Sequence, residues 1–112
     1  TQISALNSDV RAEVIGETLV YPNPFRMNGE GAVIYYNLSK AMDIEVQIYD
    51  MMANMVVKKQ FNATARYAEE SHNKLPINAQ VFGNVSLPAG AYFYLLINNG
   101  NVLAKGKMAI IP

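Results

Sequence analysis

The chain has no cysteine and no tryptophan. Without thiols there can be no disulfide framework and no cysteine-based metal or redox site. Thiols are ordinarily present in a cytosolic domain, and disulfides in a small eukaryotic secreted one. Their joint absence suits a bacterial or archaeal surface protein that folds on its core alone. Charge is also scarce. Only 16% of the residues are charged and the formal net charge is zero, whereas an ordinary soluble domain carries ~25% charged residues. No basic stripe is available to neutralise phosphates, which argues against nucleic acid as a partner. No lysine or arginine run marks an anionic membrane surface. No apolar run approaches the ~20 residues of a transmembrane helix. The surplus of neutral surface points instead to a protein partner.

What is present reads as β-structure. The 112 residues make one domain. Ala32-Val33-Ile34-Tyr35-Tyr36-Asn37-Leu38 is β-branched and aromatic. Ile44, Val46 and Ile48 alternate with Glu45, Gln47 and Tyr49, a clean period of two. Residues 55–61 follow closely, and residues 91–97 and 102–111 make a second close pair. No window holds a helical period. Asn98-Asn99-Gly100-Asn101 is a hairpin signal, because Asn and Gly tolerate positive φ. Asn54 is expected to hold the left-handed position in the turn after Asp50, and Asp50 to cap that turn. Residues 62–85 are expected to form a long crossover between sheets. The expected fold class is all-β: an immunoglobulin-like antiparallel β-sandwich of about seven strands.

Three motifs stand in order: Val20-Tyr21-Pro22-Asn23-Pro24-Phe25, Val46-Gln47-Ile48-Tyr49-Asp50 and Leu87-Pro88-Ala89-Gly90-Ala91-Tyr92-Phe93-Tyr94. Gly106-Lys107-Met108-Ala109-Ile110-Ile111 closes the chain. Across residues 19–111 this pattern resembles the C-terminal sorting domains of type IX secretion cargo. It is also similar to the related immunoglobulin-like domain of the flagellar hook-capping protein. The resemblance implies a seven-stranded sandwich of bacterial secreted or surface proteins, with secretion machinery as a partner. It implies structural roles for Pro22, Asn23 and Pro24, as a bend into the first sheet, and for Pro88, Gly90 and Tyr92, as the turn and aromatic anchor of the penultimate strand. Lys105 or Lys107 would match basic residues near the sorting tail. The chain departs from the family at Asn54, where glycine is usual, and at Leu75-Pro76-Ile77-Asn78, which stands near the place of a Trp-Asp-Gly motif.

Residues 1–18 precede the resemblance and read as a strand-like extension to a sandwich of residues 19–112. Val10, Ala12 and Val14 share one face, Arg11, Glu13 and Ile15 the other, and Ile3 and Ala5 continue the apolar set. Gly16 follows. Such a strand can add to the exposed sheet edge of another copy of the chain. Head-to-tail addition does not close, so it builds filaments. This gives the first expectation: an extracellular or cell-surface structural subunit that polymerises with itself. Two other readings stand beside it. In one, residues 10–15 are the first strand of their own sandwich. In the other, the chain is a sorting or carrier domain of a larger exported protein; its start at Thr1 fits a removed leader or an excised piece.

Catalysis is not expected. His72 is the single histidine, and its neighbours Glu69 and Glu70 lack ligand spacing, so no metal is assigned. Asp43, Glu45, Asp50 and Glu30 are scattered, with nothing to raise the pKa of one against another. Gly29-Glu30-Gly31 lacks the spacing of a phosphate loop. No cofactor is expected. Tyr92 and Tyr94 must share one face of their strand and Phe93 the other, leaving core packing, a subunit contact or a glycan platform open for the tyrosines. Met51, Met52 and Met55 cluster at a turn, either as an adaptable contact patch or as cover for the core edge. Asn37, Asn62 and Asn84 stand in glycan-acceptor triplets, a short pattern that also arises by chance.

Overall fold

The computed structural model describes residues 10–27, 31–78, 81–82 and 87–112. Among these, seven antiparallel strands form: β1 (Leu19–Tyr21), β2 (Ala32–Leu38), β3 (Ile44–Asp50), β4 (Met55–Phe61), β5 (Ser71–Ile77), β6 (Gly90–Asn98) and β7 (Asn101–Ile110). They build two sheets, ordered β1-β2-β5 and β4-β3-β6-β7. In a constant-type immunoglobulin domain the fourth strand joins the first sheet, beside the fifth. Here it stays beside β3, because the turn between them spans only residues 51–54 and closes them as a hairpin.

The period-two patterns decide which side chains meet between the sheets. Ile34, Tyr36 and Leu38 of β2 and Leu75 and Ile77 of β5 face Ile44, Val46 and Ile48 of β3 and Tyr94 and Leu96 of β6, all buried. Residues between them on each strand point outward, as a two-layer core requires. Tyr36 and Tyr94 bring hydroxyls into this apolar layer, and each finds a partner: Tyr36 donates to the Tyr67 carbonyl, and the Tyr94 hydroxyl bonds Thr18 Oγ1. Burial pushes the pKa of both phenols up, so both stay protonated in neutral solution.

The local signals resolve in detail. The β6–β7 turn has positive φ at Asn99 and Gly100, as an Asn-Gly hairpin requires. In the β3–β4 turn it is Ala53, with φ 65°, that takes the left-handed position expected of Asn54. The reason is Asp50, whose backbone and side chain fix the register. Ala53 N–H donates to the Asp50 carbonyl at 3.1 Å, and the amides of Met52 and Asn54 both donate to Asp50 Oδ1 at 2.9 Å. Asn54 serves through its side chain, which donates to Asp50 Oδ2. These donors, with the Asn54 amide foremost, hold the Asp50 carboxyl below the usual aspartate pKa.

The crossover expected over residues 62–85 contains a strand, β5, paired along its whole length with β2. Its Pro76 lies opposite Val33 and is tolerated because β5 is an edge strand. His72 therefore sits on a strand rather than in a loop, opposite Asn37 and exposed.

Tyr92 anchors the start of β6. It is buried, and its hydroxyl donates to the Pro88 carbonyl at 2.6 Å. A tyrosine at the head of the penultimate strand, bonded to backbone a few residues upstream, has the geometry of a tyrosine corner. Tyr92→Phe should cost about 1–2 kcal/mol, because it leaves a carbonyl without its donor. Urea unfolding monitored by circular dichroism checks this, with the slope expected to stay unchanged.

Candidate interaction surfaces

Residues 10–15 lie against their own sheet. Ile15 N–H donates to the Asn37 carbonyl at 2.8 Å, and Ser39 N–H to the Glu13 carbonyl at 3.0 Å. Ser39 Oγ accepts from Glu13 N–H and donates to the Arg11 carbonyl. Val14 bridges Leu38, so the segment continues the line of β1 along β2. Ala12 and Val14 pack partly against the core, whereas Val10 is exposed. Ile3 and Ala5 fall outside the described residues, as does Asn84.

The Tyr-Pro-Asn-Pro-Phe motif does not lead into the first sheet. It leaves it, because the strand ladder must stop where prolines lack donors. The chain turns after Tyr21 through two cis X-Pro bonds and crosses to the free side of β7. There Asn23 Oδ1 accepts from Ala109 N–H at 3.0 Å, and its Nδ2 donates to the Lys107 carbonyl at 3.3 Å. Phe25 N–H donates to the Ala109 carbonyl at 3.0 Å, its own carbonyl accepts from Ile111 N–H at 2.8 Å, and its ring is buried. The motif is thus a cover for the C-terminal half of an edge strand, which would otherwise offer bare backbone groups.

The rest of that edge borders a groove of about 500 Å³ between β1 and β7. Gly16, Glu17, Thr18 and Val20 line it from one side and Leu103, Lys105, Gly106 and Lys107 from the other, with Tyr94 also in the lining. The outer face of β6 and β7 adds an apolar cup of about 450 Å³ lined by Phe93, Leu95 and residues 105–107. Lys107 Nζ stands 5.7 Å from the Phe93 ring centre, a cation–π contact.

Two more surfaces carry exposed apolar side chains. On the three-stranded sheet Leu19 lies opposite Tyr35 and Tyr21 opposite Val33, with Leu19 and Tyr21 largely exposed. At the β3–β4 hairpin Met51, Met52 and Met55 project into solvent, with Met52 82% exposed. They do not cover the core edge.

The carboxylates of Asp43, Glu45 and Asp50 are committed to the protein itself. Asp43 Oδ1 accepts from Ala63 N–H at 2.8 Å. Glu45 accepts from the side chains of Gln60 and Gln47, bonds that hold its pKa down, and Lys58 Nζ lies 4.0 Å away. No group of three His, Asp or Glu that could hold a metal occurs among the described residues. Of the resemblance motifs, the structure brings Asn23 and Lys107 together and places Pro88 and Tyr92 in contact. The role of Gly106 was not visible in the sequence: nothing in the spacing signals that the Tyr94 ring of the neighbouring strand β6 lies over it.

These features define a small β-sandwich module with covered and open edges. No protein-family model and no curated protein matches the chain. Among solved structures the fold is similar to part of PorZ, described as an essential bacterial surface component of the type IX secretion system of Porphyromonas gingivalis. The TM-score is 0.53 at 19% identity, over 85% of this chain and 11% of that one. The chain therefore corresponds in fold to a small part of a much longer protein.

Proposed function

We propose that the chain is a non-catalytic sorting or carrier module of an exported bacterial protein, at home outside the cell or on its surface, with secretion machinery as its partner. The observation that carries this reading is the fold likeness to part of a type IX secretion surface component. The order of the Pro22-Asn23-Pro24 and Pro88-Ala89-Gly90-Ala91-Tyr92 motifs, similar to that of sorting domains, supports it independently. Self-assembly into filaments by strand donation has less support, because residues 11–15 already hydrogen-bond to β2 of their own chain. The absence of enzymatic chemistry is part of the proposal; the acidic groups near Asp43 are occupied by structural donors.

The test is export of a reporter. A fluorescent protein with a signal peptide is fused ahead of this chain in a bacterium possessing a type IX system. It should reach the surface or medium, and remain periplasmic in a strain lacking the system. Equal release in both strains, or periplasmic retention in both, contradicts the reading.

A further inference from the structure

The covered and open halves of β7 differ in one respect. Ala109 turns both its N–H and its carbonyl off the sheet, towards Asn23 and Phe25. Backbone direction repeats every second residue in an antiparallel pair, so Lys107 and Lys105 point their backbone groups the same way. The Lys107 carbonyl is taken by Asn23. The Lys107 N–H and both groups of Lys105 have no partner from Asn23 or Phe25, and they border the 500 Å³ groove. A row of aligned donors and acceptors beside a groove is what an added strand requires.

Charge selects the occupant. None of the edge strands β1, β4, β5 and β7 contains a carboxylate, while β4 carries Lys58 and Lys59, β5 carries Lys74 and β7 carries Lys105 and Lys107. Pairing two copies through β7 and β4 or β5 would set lysine near lysine, which disfavours it. The segment before residue 10 offers a single carboxylate, Asp9, for two lysines, and residues 11–15 behind it are already hydrogen-bonded to β2. A strand from another protein with carboxylates on its outward row would meet Lys105 and Lys107 favourably. Its inward row would face Gly16, Thr18 and Gly106, which suit small side chains, and Glu17, whose carboxylate disfavours acidic residues on that side.

We propose that residues 105–107 form an accepting edge for an extended segment of a partner protein that alternates acidic with small neutral residues, docking as an eighth strand beyond the register shift at Leu103. The site ends at Asn23, which blocks further pairing.

Amide hydrogen exchange by NMR tests it, with a ten-residue peptide alternating glutamate and threonine as the probe. In the free protein the Lys105 and Lys107 amides should exchange at least tenfold faster than those of Gly106 and Met108, which face β6. Saturating peptide should slow the first pair at least tenfold. A lysine–threonine peptide should not, and the double variant Lys105→Glu, Lys107→Glu should reverse the preference while leaving distant amides unshifted. Four outcomes overturn the proposal: protection of these amides in the dilute free chain, protection that grows with protein concentration alone, protection by the peptide at β4 or β5 instead, or no protection by the glutamate peptide.

Discussion

Gly106→Ala is expected to destabilise the domain by about 2–4 kcal/mol, from ~1–3 for overpacking and ~1 for a lost hydroxyl bond. A Cβ at this position would meet the Tyr94 ring, with Cε1 at 2.6 Å and the hydroxyl closer still. The ring cannot swing away cheaply, since Tyr94 is only 2% exposed. It lies across β7 because Gly106, its register partner, leaves the space empty, and from there its hydroxyl reaches Thr18 at the margin of the other sheet. One glycine thereby lets one tyrosine tie the two layers together on their β1–β7 side. The cost should be coupled to the ring. In a double-mutant cycle with Tyr94→Leu, Gly106→Ala should become cheaper by roughly 1–3 kcal/mol. Denaturant unfolding of the four variants reads this, and additive effects would refute the packing argument.

Leu75→Ala is expected to cost about 2–5 kcal/mol, the range for emptying a buried leucine site. Leu75 is fully buried on β5, opposite Ile34. The same substitution in a surface crossover would stay within about 0.5 kcal/mol. Against a total stability of about 5–15 kcal/mol, the difference is easily measured. A near-neutral result would return residues 71–77 to the loop that the sequence suggested.

That element shows where legibility ended. β2, β3, β4, β6 and β7 were readable because their apolar residues alternate or run together and their turns carry Asn, Gly or Asp. β5 hides its inward face behind one polar residue. Asn73 is buried, and its side chain makes bonds with the Glu69 and Ser71 backbone, so the inward set reads Asn-Leu-Ile rather than an apolar stripe. Lys74 and Pro76 between them further resemble a loop. Edge strands tolerate such residues, which is why periodicity alone missed it.

The candidate surfaces were partly legible. The split of Tyr92 and Tyr94 from Phe93 followed from strand geometry, and the structure places the first two in the core and Phe93 half-buried on the outer face. The Pro-Asn-Pro motif was legible as a bend but not as an edge cover, because its partners Lys107 and Ala109 are more than eighty residues away in sequence. Long-range backbone pairing leaves no local signature. Likewise, the alternation of residues 10–15 announced a strand without saying whose sheet it joins. Both the filament and the intrinsic-strand readings required the same pattern.

Deleting residues 1–15 tests the central claim, that residues 11–15 serve their own sheet rather than that of another copy. The account predicts a chain that stays monomeric by sedimentation at all concentrations, before and after deletion. It also predicts a stability loss of about 2–4 kcal/mol, from several hydrogen bonds at ~1 kcal/mol each and the partial burial of Ala12 and Val14. A truncated chain of undiminished stability, cut from a parent that forms polymers, would contradict it.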